Sequence, residues 1–165
     1  MNRIACVGTL LLATSPLPAQ AQDSVRRQTG DFPISASIWV PGNAELVFLS
    51  GTLADVAKPD APAGSIERLG NTETQTASVL AKLAKELEAS SLTFADVVKM
   101  NVFMVGDPAK GGAMDFEGLM KAYTRYFGAA SQGKLPTRTT VQVAGLPLPG
   151  ALVEIEVIAA RAPRP

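Results

Sequence analysis

The chain contains no histidine, and its one cysteine, Cys6, lies within the first 21 residues. Without that segment no disulfide can form. Zinc, copper and iron sites built on imidazole or thiolate are excluded, as are a Ser-His-Asp triad and a Cys-His dyad. Acid–base work is left to Asp, Glu, Lys, Tyr or water. Unbalanced charge is missing too. Fifteen Lys and Arg offset fifteen Asp and Glu, with no basic run, so the electrostatic footprint of a nucleic-acid binder is absent. No apolar run approaches the ~20 residues of a membrane-spanning helix.

What remains is a globular composition. Of 165 residues, 47% are hydrophobic and 18% charged, which suits one domain with one core. Residues 1–21, MNRIACVGTLLLATSPLPAQA, read differently. Arg3 is their only charged side chain, an apolar run covers 4–13, and Ala19 and Ala21 give a small-x-small pattern. That is the pattern of a secretory signal peptide. The expected organisation is a signal peptide over 1–21, a flexible polar segment over 22–34 and one domain over 35–162. The expected location is periplasmic or secreted, with cleavage near Ala21 and no membrane association afterwards.

Residues 35–40 (SASIWV) and 45–51 (ELVFLSG) are β-like and flank PGNA, which predicts a hairpin. Residues 71–89 carry a capping signal at Asn71 or Thr72, and Thr76, Val79, Leu80, Leu83 and Leu87 follow a helical repeat. Residues 96–105 predict a strand. Residues 115–127 predict a second helix, with Phe116, Leu119, Met120, Tyr123 and Phe127 as a core-facing stripe. Residues 137–145 and 151–160 predict the last two strands. The order β-β-α-β-α-β-β gives an α+β domain, one mixed sheet with two helices on one face.

The stretch 135–159, LPTRTTVQVAGLPLPGALVEIEVIA, holds only three charges. By alternation Arg138, Thr140 and Gln142 share one face of their strand, opposite Thr139, Val141 and Val143; Glu154 and Glu156 oppose Val153, Ile155 and Val157. The apolar sets are expected to face the core. The polar sets then either meet water, where a cross-strand pair is worth under ~1 kcal/mol, or line a pocket. In a pocket, Arg138 offers a planar fork that matches a carboxylate, and a glutamate can orient water.

This stretch resembles the C-terminal signature of the reactive-intermediate deaminase (Rid, or YjgF-like) family: Pro-x-Arg, V-A-x-L-P, then V-E-I-E-x-I-A. VFLSG, DVVKMNVFMVGD and YTRYF are similar to further segments of it, so the resemblance runs from about Pro33 to Ala160. It implies a chorismate-mutase-like protomer, a homotrimer with ligand clefts between subunits, no cofactor and no metal. It also implies hydrolysis of imines and enamines of small 2-oxo acids, such as 2-iminopropanoate and 2-iminobutanoate, to the oxo acid and ammonia. Arg138 matches the arginine that binds the substrate carboxylate, and Glu154 the glutamate that positions water. Glu156 matches a family glutamate without a chemical role. Ser50 and Gly51 match the strand that lines the cleft, and Thr140 a position whose backbone contacts ligand.

Three positions depart from the best-known deaminases. Thr140 stands where cysteine is common, Ser37 where a tyrosine closes the pocket, and Met120 where the second helix carries an asparagine. These changes and the expected export keep an alternative open, a non-catalytic protein that binds small carboxylates. A structural trimer with an idle cleft is a third reading, without positive support in the sequence.

Overall fold

The computed structural model describes residues 25–29, 32–128 and 134–161. The expected signal peptide lies outside them. Among the described residues two sheets and three α-helices are formed, and no helix there is long and apolar enough to cross a membrane. Strands β1 (Arg26–Thr29) and β2 (Ser35–Trp39) make an antiparallel pair. The main sheet holds β3 (Glu45–Leu53), β4 (Val97–Val105), β5 (Thr137–Val143) and β6 (Val153–Arg161), in the order β3-β6-β4-β5. The β4–β5 ladder is parallel and the others are antiparallel. α2 (Thr72–Ala89) and α3 (Phe116–Phe127) pack together over one face. α1 (Ile66–Leu69) is a single turn before α2. The α+β architecture and the mixed sheet with helices on one face agree with the sequence pattern.

α2 forms where its signals place it. The Asn71 side chain accepts a hydrogen bond from the Thr74 N–H at 3.0 Å, satisfying one of the free donors of the first turn. Val79, Leu80, Leu83 and Leu87 are fully buried, each leucine contributing roughly 1.5–3 kcal/mol by removal from water. They meet Met100, Val102 and Met104 of β4 and Val153, Ile155 and Val157 of β6 in one core. Gln75 is buried as well. Its amide donates to the Gly70 and Gly150 carbonyls at 2.8 and 3.0 Å and accepts from the Leu152 N–H at 2.8 Å, so it ties the start of α2 to the approach of β6.

Two expectations fail on strand pairing. The stretches around PGNA do not form a hairpin: β2 pairs with β1, and β3 pairs with β6. PGNA therefore passes from one sheet to another. A strand within the expected lead-in, Arg26–Thr29, supplies the partner that β2 lacks. The last two strands are not neighbours either, because β4 lies between β5 and β6. A turn rich in Gly and Pro marks a reversal but does not name the strands that pair across it.

Candidate functional site

The third correction concerns the faces of β5. Arg138 pairs with Met100 and Thr140 with Val102, and both partners are buried under the helices. Cross-strand partners share a face, so the polar set of β5 points toward the helix layer. The apolar set points to the uncovered side, where Val141 is 40% exposed. The physical reason is position. β5 is an edge strand at the rim of the helix layer, so its helix-facing side is only half buried and a long cation reaches out there.

Arg138 is surrounded by rings and a thioether. Its guanidinium lies over the Tyr123 ring at 4.3 Å and stands 5.7 Å from each of the Phe32 and Phe116 rings. Nη1 lies 3.4 Å from Met120 Sδ. Tyr123 organises this corner. Its hydroxyl donates to the Pro33 carbonyl at 2.8 Å, which fixes residues 32–34 against α3 and brings Phe32 beside Phe116. Burial pushes the Tyr123 phenol up to about 12, although the neighbouring Arg138 opposes the shift. Burial likewise lowers the Arg138 pKa, with Tyr123 opposing. At neutral pH the pair is thus a guanidinium beside a neutral phenol. Among the described residues no carboxylate forms an ion pair with Arg138. Cation–π contacts stabilise the charge but leave most of its five donors without an anionic acceptor. Thr140, two residues on along the same face, has a buried hydroxyl with no hydrogen-bond partner among the described residues. Gln142, the third of the set, clamps the loop before α3: it accepts from the Met114 N–H at 2.9 Å and donates to the Gly112 carbonyl at 3.0 Å.

Glu154 and Glu156 occupy the opposite face of the sheet. They alternate along β6 with the buried Val153, Ile155 and Val157, so they point to the open side with Ser50 and Gly51. A bulge shapes this region. Leu49 pairs with Val157 and Thr52 with Ile155, so Ser50 and Gly51 together oppose Glu156. Bulges of this kind re-aim side chains beside binding sites. Glu154 lies over Gly51, where a Cβ would collide with its Oε1, so glycine leaves room for the carboxylate. Glu156 accepts from the Asn101 side-chain amide at 2.8 Å. Ser50, Lys99, Asn101 and Glu156 line a shallow pocket of about 410 Å³.

The expected site residues therefore fall into two groups. Arg138 and Thr140 sit on the helix face at the β5 edge; Ser50, Gly51, Glu154 and Glu156 sit on the open face. Ser37 belongs to neither, since it donates to Gln28 Oε1 at 3.1 Å across the β1–β2 pair. Sequence reasoning missed Phe32 and assigned Phe116 and Tyr123 to the core alone. Tyr123 is buried, but Phe116 is 36% exposed. Their spacing of seven residues along α3 was the available signal that both share a face with Arg138's neighbour Met120.

The family model described as endoribonuclease L-PSP matches residues 36–161. The chain belongs to this family, the Rid (YjgF-like) proteins. Among relatives, "Reactive Intermediate Deaminase A, chloroplastic" of Arabidopsis thaliana is 40% identical over 119 residues, 69% of this chain and 52% of that protein. The chain thus spans about half the length of this relative. Protein DfrA of Myxococcus xanthus is 34% identical over 77% of this chain and 84% of its own. Among solved structures, E. coli TdcF with bound serine is 30% identical with a TM-score of 0.54, covering 70% of this chain and 80% of its own. The Rid protein YyfB of Yersinia pestis reaches a TM-score of 0.60 over 83% of this chain and 98% of its own; at 24% identity that likeness concerns the fold.

Proposed function

We propose that this Rid protein hydrolyses imines and enamines of 2-oxo acids, releasing the oxo acid and ammonia, in a cleft that two copies of the chain build together. The observation that carries the reading is the half-buried Arg138, whose guanidinium has no carboxylate partner among the described residues. A substrate carboxylate supplies the missing anion in a bidentate geometry. Glu154, on the other face, directs water onto the imine carbon, and the proton passes through water to the leaving nitrogen. One chain keeps these two groups on opposite faces of its sheet. A second copy docked at the β5 edge brings its open face, with Glu154 beside Gly51, toward the first copy's Arg138. The uncovered face is suited to such packing, since Phe48 is 70% and Leu46 47% exposed, more apolar surface than a free sheet face ordinarily shows. The family resemblance favours a trimer. Rate acceleration comes from orientation and charge placement.

The leader-like residues 1–21 support export with a mature start near Gln22, which N-terminal sequencing from the native host checks. Contact between Met120 and Arg138 favours one rival: a protein that binds small carboxylates without turning them over. The deciding experiment generates 2-iminopropanoate in situ and follows its decay with purified protein, using Arg138→Ala as control. Faster decay with wild type alone is expected. Binding of pyruvate with no acceleration would leave the rival.

A further inference from the structure

The corner around Arg138 carries more apolar surface than a methyl-bearing substrate needs. Phe32 and Phe116 stack with centroids 6.2 Å apart and keep 45% and 36% of their surface exposed. Tyr123 already shields the guanidinium from below at 4.3 Å, so the two phenylalanines are not required for that task. Met120 adds a polarizable thioether at 3.4 Å from Nη1, a group that adapts to irregular apolar shapes. A carboxylate engaged on Arg138 carries its α-substituent toward this wall, where burial of carbon against carbon is favourable.

We propose that the site selects 2-imino acids, and the corresponding 2-oxo acids, with branched aliphatic or aromatic side chains over those with a methyl or an acidic side chain. Phe32, Phe116 and Met120 are the specificity-determining residues. The inference rests on Arg138 as the carboxylate's partner. An acidic side chain of similar length gains little on this wall, because its end group would lose water against the rings while Arg138 is already engaged by the first carboxylate.

Calorimetric titration of the assembled protein with pyruvate, 4-methyl-2-oxopentanoate and 2-oxoglutarate tests it. The branched acid is expected to bind on the order of tenfold to a hundredfold tighter than pyruvate, and 2-oxoglutarate no tighter than pyruvate. Phe116 opens α3 and is partly exposed, so Phe116→Ala spares the core. It should shrink the ratio of the two dissociation constants severalfold, and Phe116→Leu should keep most of it. Equal affinities for pyruvate and the branched acid would overturn the preference and leave Arg138's role standing. A ratio unchanged in both Phe116→Ala and Phe32→Ala would overturn the residue assignment. Failure of all three acids to bind would overturn this inference together with the carboxylate reading. Selective binding without imine hydrolysis would keep this inference and remove the deaminase.

Discussion

The two faces of the main sheet are built from strands with the same alternating grammar, yet they serve different ends. On the helix face, β4 contributes Met100, Val102 and Met104 and β6 contributes Val153, Ile155, Val157 and Ala159 before Arg161 ends it, and burial is complete at Met100, Met104, Val153 and Ile155. The exception is the β5 edge, where the covered face turns polar and Arg138 projects among rings. On the open face the charges sit on the central strands, Glu154 and Glu156 on β6 and Lys99 on β4, and the most exposed apolar groups, Leu46, Phe48 and Val141, lie on the outer strands. Alternation fixes which residues share a face; position in the sheet decides what that face meets. In the proposed cleft, a cation at a covered edge and a carboxylate on an uncovered centre are the complementary halves that a single chain keeps apart.

The largest effect that would sharpen this contrast comes from the helix-face half. Arg138→Ala should abolish both 2-oxo acid binding and imine turnover, a loss of roughly 2–5 kcal/mol in binding if the charge pair is desolvated. Arg138→Lys should rescue poorly, because ammonium lacks the bidentate fork. Calorimetry beside the decay assay reads both. The open-face half should fail differently: Glu154→Gln should lower turnover by about 10²–10⁴-fold, the range for general acid–base catalysis, with 2-oxo acid binding retained. Turnover like wild type would break the proposed division of labour.

Gly51→Ala should mimic the second result more weakly. The new Cβ displaces a flexible carboxylate rather than backbone, so activity should drop with little change in Tm. The smallest effect is expected at Tyr123. Tyr123→Phe loses the hydrogen bond to the Pro33 carbonyl, worth about 0.5–1.5 kcal/mol. It also removes a pH dependence. The folded phenol titrates at about 12, above its usual value near 10, so its stabilising share is fully present below pH ~10 and is lost as pH rises through about 12. Thermal melts of wild type and Tyr123→Phe across that window should converge at the alkaline end.

How much of this was legible beforehand follows from the range of each signal. α2 was readable in full, because its cap and apolar repeat are local to 71–89. The membership of Arg138 and Thr140 on one face, and of Glu154 and Glu156 on another, was readable from period two. The opposite orientation of those faces was not, because it depends on the parallel β4–β5 register and on where the helices stop. PGNA was misread for a similar reason: β1, the true partner of β2, lies in a polar segment with little β patterning. The rings around Arg138 split the same way. Phe116 and Tyr123 stood in a visible stripe, whereas Phe32 arrives through one long-range bond from Tyr123 to Pro33. The room for Glu154 over Gly51 depends on a one-residue bulge in the β3–β6 pair, which no single-strand pattern reveals.

The central claim, that catalysis needs Arg138 of one copy and Glu154 of another, is tested most directly by mixing two inactive variants. Arg138→Ala and Glu154→Gln chains are co-expressed in equal amounts, purified as mixed assemblies and assayed for imine hydrolysis. In a ring of heterologous contacts, roughly a quarter of the clefts would then join an intact arginine to an intact glutamate, and activity should return to about that fraction of wild type. Mixed assemblies as inactive as either parent would contradict the account.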